Sequence, residues 1–139
     1  MPKKTTVRKA KAALRSGKSP TTAAGEFVRE EIEHIREGKH GARSPEQAIA
    51  IGLSKARRAG VPLKPPKKGQ ATKRTRRSAK RDYEIGQGER KPRAPSRKRS
   101  QASTRRLKGE PRSTVSRSSL SRHAKRAAAS RGKRRSRGG

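Results

Sequence analysis

Charge is partitioned unevenly along this chain of 139 residues, and the partition decides where a fold can form. Residues 1–19 carry seven Lys/Arg and no acid. Residues 20–63 carry seven Lys/Arg against six acids, Glu26, Glu30, Glu31, Glu33, Glu37 and Glu46, a net of +1. Residues 64–139 carry 28 Lys/Arg against four acids, a net of +24. Like charges at high density repel, and a chain with little apolar surface cannot offset the entropy lost on folding. A near-neutral segment therefore stands between a basic arm and a long basic tail.

The large apolar residues follow the same division. Val, Ile, Leu, Met, Phe and Tyr number 17, of which nine fall in 20–63: Phe27, Val28, Ile32, Ile35, Ile49, Ile51, Leu53, Val61 and Leu63. The fold expected is a small all-α helical hairpin in a mostly disordered chain. Its parts are a basic N-terminal arm at 1–19, the hairpin at 20–63, and a disordered basic Lys/Arg/Ser/Ala tail at 64–139.

Local signals support the hairpin. Ser19-Pro20-Thr21-Thr22 offers hydroxyl caps for a first helix. Ala24, Phe27, Val28, Ile32 and Ile35 then fall within an arc of about 140°. Glu26, Glu30, Glu33 and Glu37 line one side of the opposite face, while Glu31 projects awkwardly into the apolar arc. Gly38 and Gly41 break this helix. Ser44-Pro45-Glu46-Gln47 starts the second with a cap, a first-turn proline and a capping box. Gly60 and Pro62 stop it. Ala48, Ile49, Gly52, Leu53 and Ala56 form its inner face. Ile51 points roughly 150–160° away from the Ile49–Leu53 direction. It is either a partly exposed residue or a homodimer or partner contact.

Outside the hairpin, residues 5–16 can form a short basic helix that should fray alone. In the tail, Thr72–Glu84 and Ser119–Arg131 have helical spacing and are expected to order only on a phosphate backbone.

The stretch Gly38-Lys39-His40-Gly41-Ala42-Arg43-Ser44-Pro45-Glu46-Gln47-Ala48-Ile49-Ala50-Ile51-Gly52-Leu53-Ser54-Lys55-Ala56-Arg57-Arg58-Ala59-Gly60-Val61, with Gly25–Ile32 before it, resembles a family of short basic bacterial proteins of unknown function. Their hallmark is a "QAIAI-[small]-LS-[charged]-A" helix after a basic or Gly-containing loop. The resemblance implies a bacterial origin and a small helical unit, with no catalytic residues to carry over. The tail is similar in composition to histone tails and linker-histone-like bacterial proteins.

Such an arrangement of charge points to a polyanion partner, and nucleic acid is the first expectation. The best-placed cations on ordered structure are Lys39, Arg43, Lys55, Arg57 and Arg58. The tail adds Lys73, Arg74, Arg76, Arg77, Lys80, Arg81, Arg97, Lys98, Arg99, Arg105, Arg106, Lys125, Arg126, Lys133, Arg134 and Arg135. The only aromatics are Phe27, a core candidate, and Tyr83. Recognition by base stacking is therefore not expected, and backbone binding to duplex DNA is favoured over RNA. The expected role is a nucleoid-associated, DNA-coating protein. The alternatives are an RNA- or ribosome-associated protein, and a protein-interaction module localised by its tail.

Other classes are excluded or disfavoured. Cysteine is absent, so there is no disulfide framework or thiolate metal site. No apolar run follows Met1-Pro2-Lys3-Lys4, so no secretory signal is expected, and no stretch reaches membrane-span length. The expected location is the cytoplasm and nucleoid. No catalytic constellation or cofactor motif is visible, and no enzyme is expected. His34 and His40 lie among Glu30, Glu33 and Glu37, but a third committed ligand is missing, so no metal is expected. His123, in the tail, has no evident partner.

Overall fold

The computed structural model describes residues 2–94 and 96–138, with side chains through residue 131. Those residues form six α-helices and no strand: α1 (Lys4–Arg15), α2 (Pro20–Arg36), α3 (Pro45–Arg58), α4 (Lys73–Gly86), α5 (Arg97–Lys108) and α6 (Arg117–Gly138). A short 3-10 turn at Ser113–Val115 precedes α6.

The all-helical class is as expected, and α2 and α3 pack on each other as the hairpin. The Ser19 hydroxyl accepts from Thr22 N–H at 3.2 Å, and the Ser44 hydroxyl from Gln47 N–H at 3.2 Å. Each cap satisfies a helix-start amide that has no partner within the helix. Gln47 reaches back to the amide of Arg43 at 2.6 Å, one residue earlier than a standard capping box. At the far end Gly60 adopts φ +104°, and Val61 N–H returns to the Ala56 carbonyl at 3.1 Å. That left-handed residue turns the chain back and buries Val61 against α2 and α3.

Gly52 sets the distance between the two helices. A Cβ there would stand 2.7 Å from Val28 Cα and 3.0 Å from Val28 N, approaches to backbone that no rotamer change relieves. Glycine admits a close approach of α3 to α2 at this point.

The expectation of a mostly disordered chain is overturned. Helices cover most of 64–138, and α1 does not stand alone but packs on α2. The physical reason is the material of the core. Of the eleven buried hydrophobic residues among those described, seven are alanines: Ala10, Ala23, Ala24, Ala42, Ala48, Ala56 and Ala79. A count of large apolar side chains misses these. Alanine loses no side-chain entropy on burial and lets helices approach closely.

Two clusters result. The first gathers Ala10 from α1, Ala23, Ala24 and Phe27 from α2, Ala56 from α3 and Val61, with Val7 and Leu14 against it. The second joins Ile35, Ala42 and Ala48 to Val115 from the tail, with Ile32 and Leu120 alongside. The basic arms thus supply apolar residues to a core centred on the hairpin. Ile51 is half-buried and belongs to neither cluster.

Glu31 sits in the apolar arc, as its position on the helix requires, and is fully buried. Its Oε1 faces His40 Nε2 at 2.7 Å and its Oε2 accepts from Lys55 Nζ at 2.5 Å. The Lys55 ammonium on Oε2 offsets part of the cost of taking a carboxylate out of water.

Candidate nucleic-acid interface

Helix α4 carries the densest basic sequence on ordered structure, Lys73-Arg74-Thr75-Arg76-Arg77 and then Lys80-Arg81. Its start is capped by Thr72, whose hydroxyl accepts from Thr75 N–H at 3.2 Å. Ala79 and Asp82 are the buried positions, one turn apart on the face that meets α3. Asp82 is the anchor. Its carboxylate accepts from Ser54 Oγ at 2.7 Å and pairs with Arg58 Nε at 2.7 Å. Gly86 lies so close to the Arg57 carbonyl that a side chain would collide with it, and Gln87 Nε2 donates to the Gly60 carbonyl at 3.2 Å.

This docking creates a cationic cleft. Arg58 from α3, Arg81 and Ile85 from α4, and Arg90, Lys91 and Arg93 from the following segment line a cavity of about 430 Å³. Arg58 is held by Asp82, and Arg90 by Glu84 at 3.1 Å. Arg81, Lys91 and Arg93 are exposed and pair with no carboxylate among the described residues. Two acids thus orient two arginines, leaving three cations of the cleft without a carboxylate partner among the described residues. A second depression joins Lys39 to Lys108 and Arg112 across the 38–41 loop. On α1, Lys4, Arg8, Lys11 and Arg15 line a shallow basic face.

The cations expected at the interface divide into groups. Arg58 and Arg81 come together in the cleft. Arg43, Lys73, Arg74, Arg77, Lys80, Lys125 and Arg126 are exposed. Arg97, Lys98, Arg99, Arg105 and Arg106 are exposed on α5, a helix with no buried residue at all. Lys39 is exposed beside Glu37 at 3.5 Å. Arg76 is half-buried, with an Nε that has no partner among the described residues. Lys133, Arg134 and Arg135 lie outside the described side chains.

Two expected residues are committed within the fold. Lys55 neutralises buried Glu31. Arg57 is buried and donates from Nε to the Leu63 carbonyl at 3.1 Å, so it closes the 59–64 turn. Burial lowers the pKa of its guanidinium from the usual value, with Asp82 opposing. Conversely, sequence reasoning misses Arg90, Lys91 and Arg93. The signal that could find them is an interrupted basic run, Arg90-Lys91-Pro92-Arg93.

The charge balance of the surface follows. Among the described residues, the Lys and Arg side chains that pair with a carboxylate are Lys39, Lys55, Arg58, Lys80 and Arg90. Among them, none of Glu26, Glu30, Glu33 and Glu37 pairs with a tail cation. One tail side chain does reach a hairpin acid: His123 Nδ1 lies 3.0 Å from Glu46 Oε1, so His123 does have a partner. The backbone hydrogen bond at the start of α3, and after it His123, holds the Glu46 carboxyl below the usual range. Phe27 is buried and Tyr83 half-buried. No helix among the described residues is long and apolar enough to cross a membrane.

Comparison with family models, with curated proteins and with solved structures finds no match.

Proposed function

We propose that the chain binds nucleic acid through the phosphate backbone without reading sequence, and coats duplex DNA as a nucleoid-associated protein. The observation that carries this reading is the cleft in which Arg81, Lys91 and Arg93 stand free while Asp82 and Glu84 hold Arg58 and Arg90 in place. Guanidinium groups engage phosphate oxygens in a bidentate fork, and their release of condensed counterions supplies affinity that does not depend on base identity. The exposed arginines of α5 extend the same chemistry on a helix with nothing else to bury. The absence of a fully exposed aromatic among the described residues argues for backbone binding over base stacking.

The test is the triple variant Arg81→Ala/Lys91→Ala/Arg93→Ala. These side chains are exposed, so the helical circular dichroism spectrum should be unchanged. The slope of log K against log salt for duplex DNA should become shallower by about 3, close to one for each phosphate no longer neutralised. An unchanged slope would remove the cleft from the interface.

A further inference from the structure

Glu31, His34 and His40 bring three donor atoms within 4.8 Å of one another. Glu31 and His34 share one face of α2 at i, i+3, and His40 reaches them from the loop before α3. In the sequence the apparent pair is Glu30 with His34, at i, i+4, and Glu31 looks like a misplaced core residue, so no third ligand is visible there. The fold turns Glu31 inward and folds the loop over it.

Three details of the hydrogen bonding point to a cation at this place. His40 Nδ1 lies 2.9 Å from the Gly41 carbonyl, an acceptor only, so the ring proton sits on Nδ1. Its Nε2 then turns a lone pair toward Glu31 Oε1 at 2.7 Å. Two acceptors at that separation need a positive centre between them, a proton or a metal ion. The His34 side chain is 14% exposed, and its ring has no hydrogen-bond partner among the described residues. Its nearest carboxylate oxygen, on Glu30, is 3.7 Å away. Glu30, beside this group, is 5% exposed; its Oε1 accepts from the Lys3 amide at 2.8 Å and its Oε2 has no partner among the described residues. Buried polar atoms are seldom left unpaired.

We propose that Glu31, His34 and His40 form a divalent transition-metal site of the zinc class, which clamps the loop before α3 onto α2. Two imidazoles and one carboxylate are a zinc donor set, with the fourth position open to water. A backbone carbonyl on the far ring nitrogen is the outer-sphere partner that fixes a metal-binding histidine. Tetrahedral zinc spaces its donors by roughly 3.3 Å, so a small rotation of His34 and a slight parting of His40 from Glu31 complete the site. Lys55 takes the second Glu31 oxygen, which aims Oε1 at the ion. Against Glu30 and Glu31 it leaves one negative charge over.

Cobalt(II) titrated into the full-length, nucleic-acid-free protein is the test, because tetrahedral cobalt absorbs in the visible and reports its ligands. The wild-type chain should take up one equivalent with that absorption, and zinc should displace it. His34→Gln should weaken binding at least tenfold while retaining the helical spectrum, since the ring supports nothing else. His123→Gln should bind as wild type does. Absence of the tetrahedral absorption would overturn the proposal and leave a proton between His40 and Glu31. So would a His34→Gln variant that binds as well as wild type, or loss of binding in His123→Gln.

Discussion

Raising salt from 50 to 200 mM should weaken the complex with duplex DNA by about five orders of magnitude if ten phosphates are engaged. The supporting structure is a surface whose cations are mostly unmatched by acids, spread over α1, the cleft beside α4, and α5. Each phosphate neutralised releases condensed counterion, so log K should fall against log salt with a slope near −9. Hydrogen bonding to bases would add affinity with little salt dependence, and a few surface ion pairs would give a shallow line. Fluorescence anisotropy over a series of salt concentrations reads the slope directly. A value shallower than about −3 contradicts binding through many phosphates at once.

Phe27→Ala should remove about 3–5 kcal/mol of stability. Phe27 is 1% exposed and stands where α1, α2 and α3 meet. Its neighbours there include Ala10, Ala23, Ala24 and Ala56, which have no length to reach into the space it leaves. Collapse around the cavity would have to move whole helices, and Gly52 already holds α3 close to α2. For a chain of this size the thermal midpoint should fall by on the order of 10–20 °C in a circular dichroism melt. The exposed Gln101→Ala on α5 should leave the midpoint unchanged, because that helix buries no residue. A Phe27→Ala midpoint equal to wild type would mean that the alanine-lined core is not the source of stability.

The hairpin is legible in the sequence because its punctuation is local. Ser19-Pro20, Ser44-Pro45 and Gly60 mark ends by side-chain and backbone chemistry that needs no distant partner. The tail helices have the same marks. The hydroxyls of Thr72, Ser96 and Ser116 each cap the amide three residues on, at 3.2 Å. Net charge hides those signals, since repulsion along a basic segment argues for disorder when the segment is weighed alone. Two things offset it, and neither is local. Val115 fills a space among Ile35, Ala42 and Ala48, and Asp82 ties α4 to Ser54 and Arg58.

The proposed interface is legible as a class of residue and not as a place. Basic clusters name the chemistry, but only docking shows that Lys55 and Arg57 serve the fold while Arg81, Lys91 and Arg93 gather with Arg58. Glu31 shows the same limit from the other side. Its helical phase exposes a conflict, and the resolution comes from Lys55 and His40, residues 24 and 9 positions along the chain.

The most direct measurement is the affinity of the nucleic-acid-free chain for two duplexes of equal length and unrelated sequence, at fixed low salt, with structured RNA as competitor. Attraction to the phosphate backbone predicts tight binding to both duplexes with equal affinity within a few-fold, and RNA no better than DNA as a competitor. No binding to either duplex, or a thousandfold preference for one of them, contradicts it.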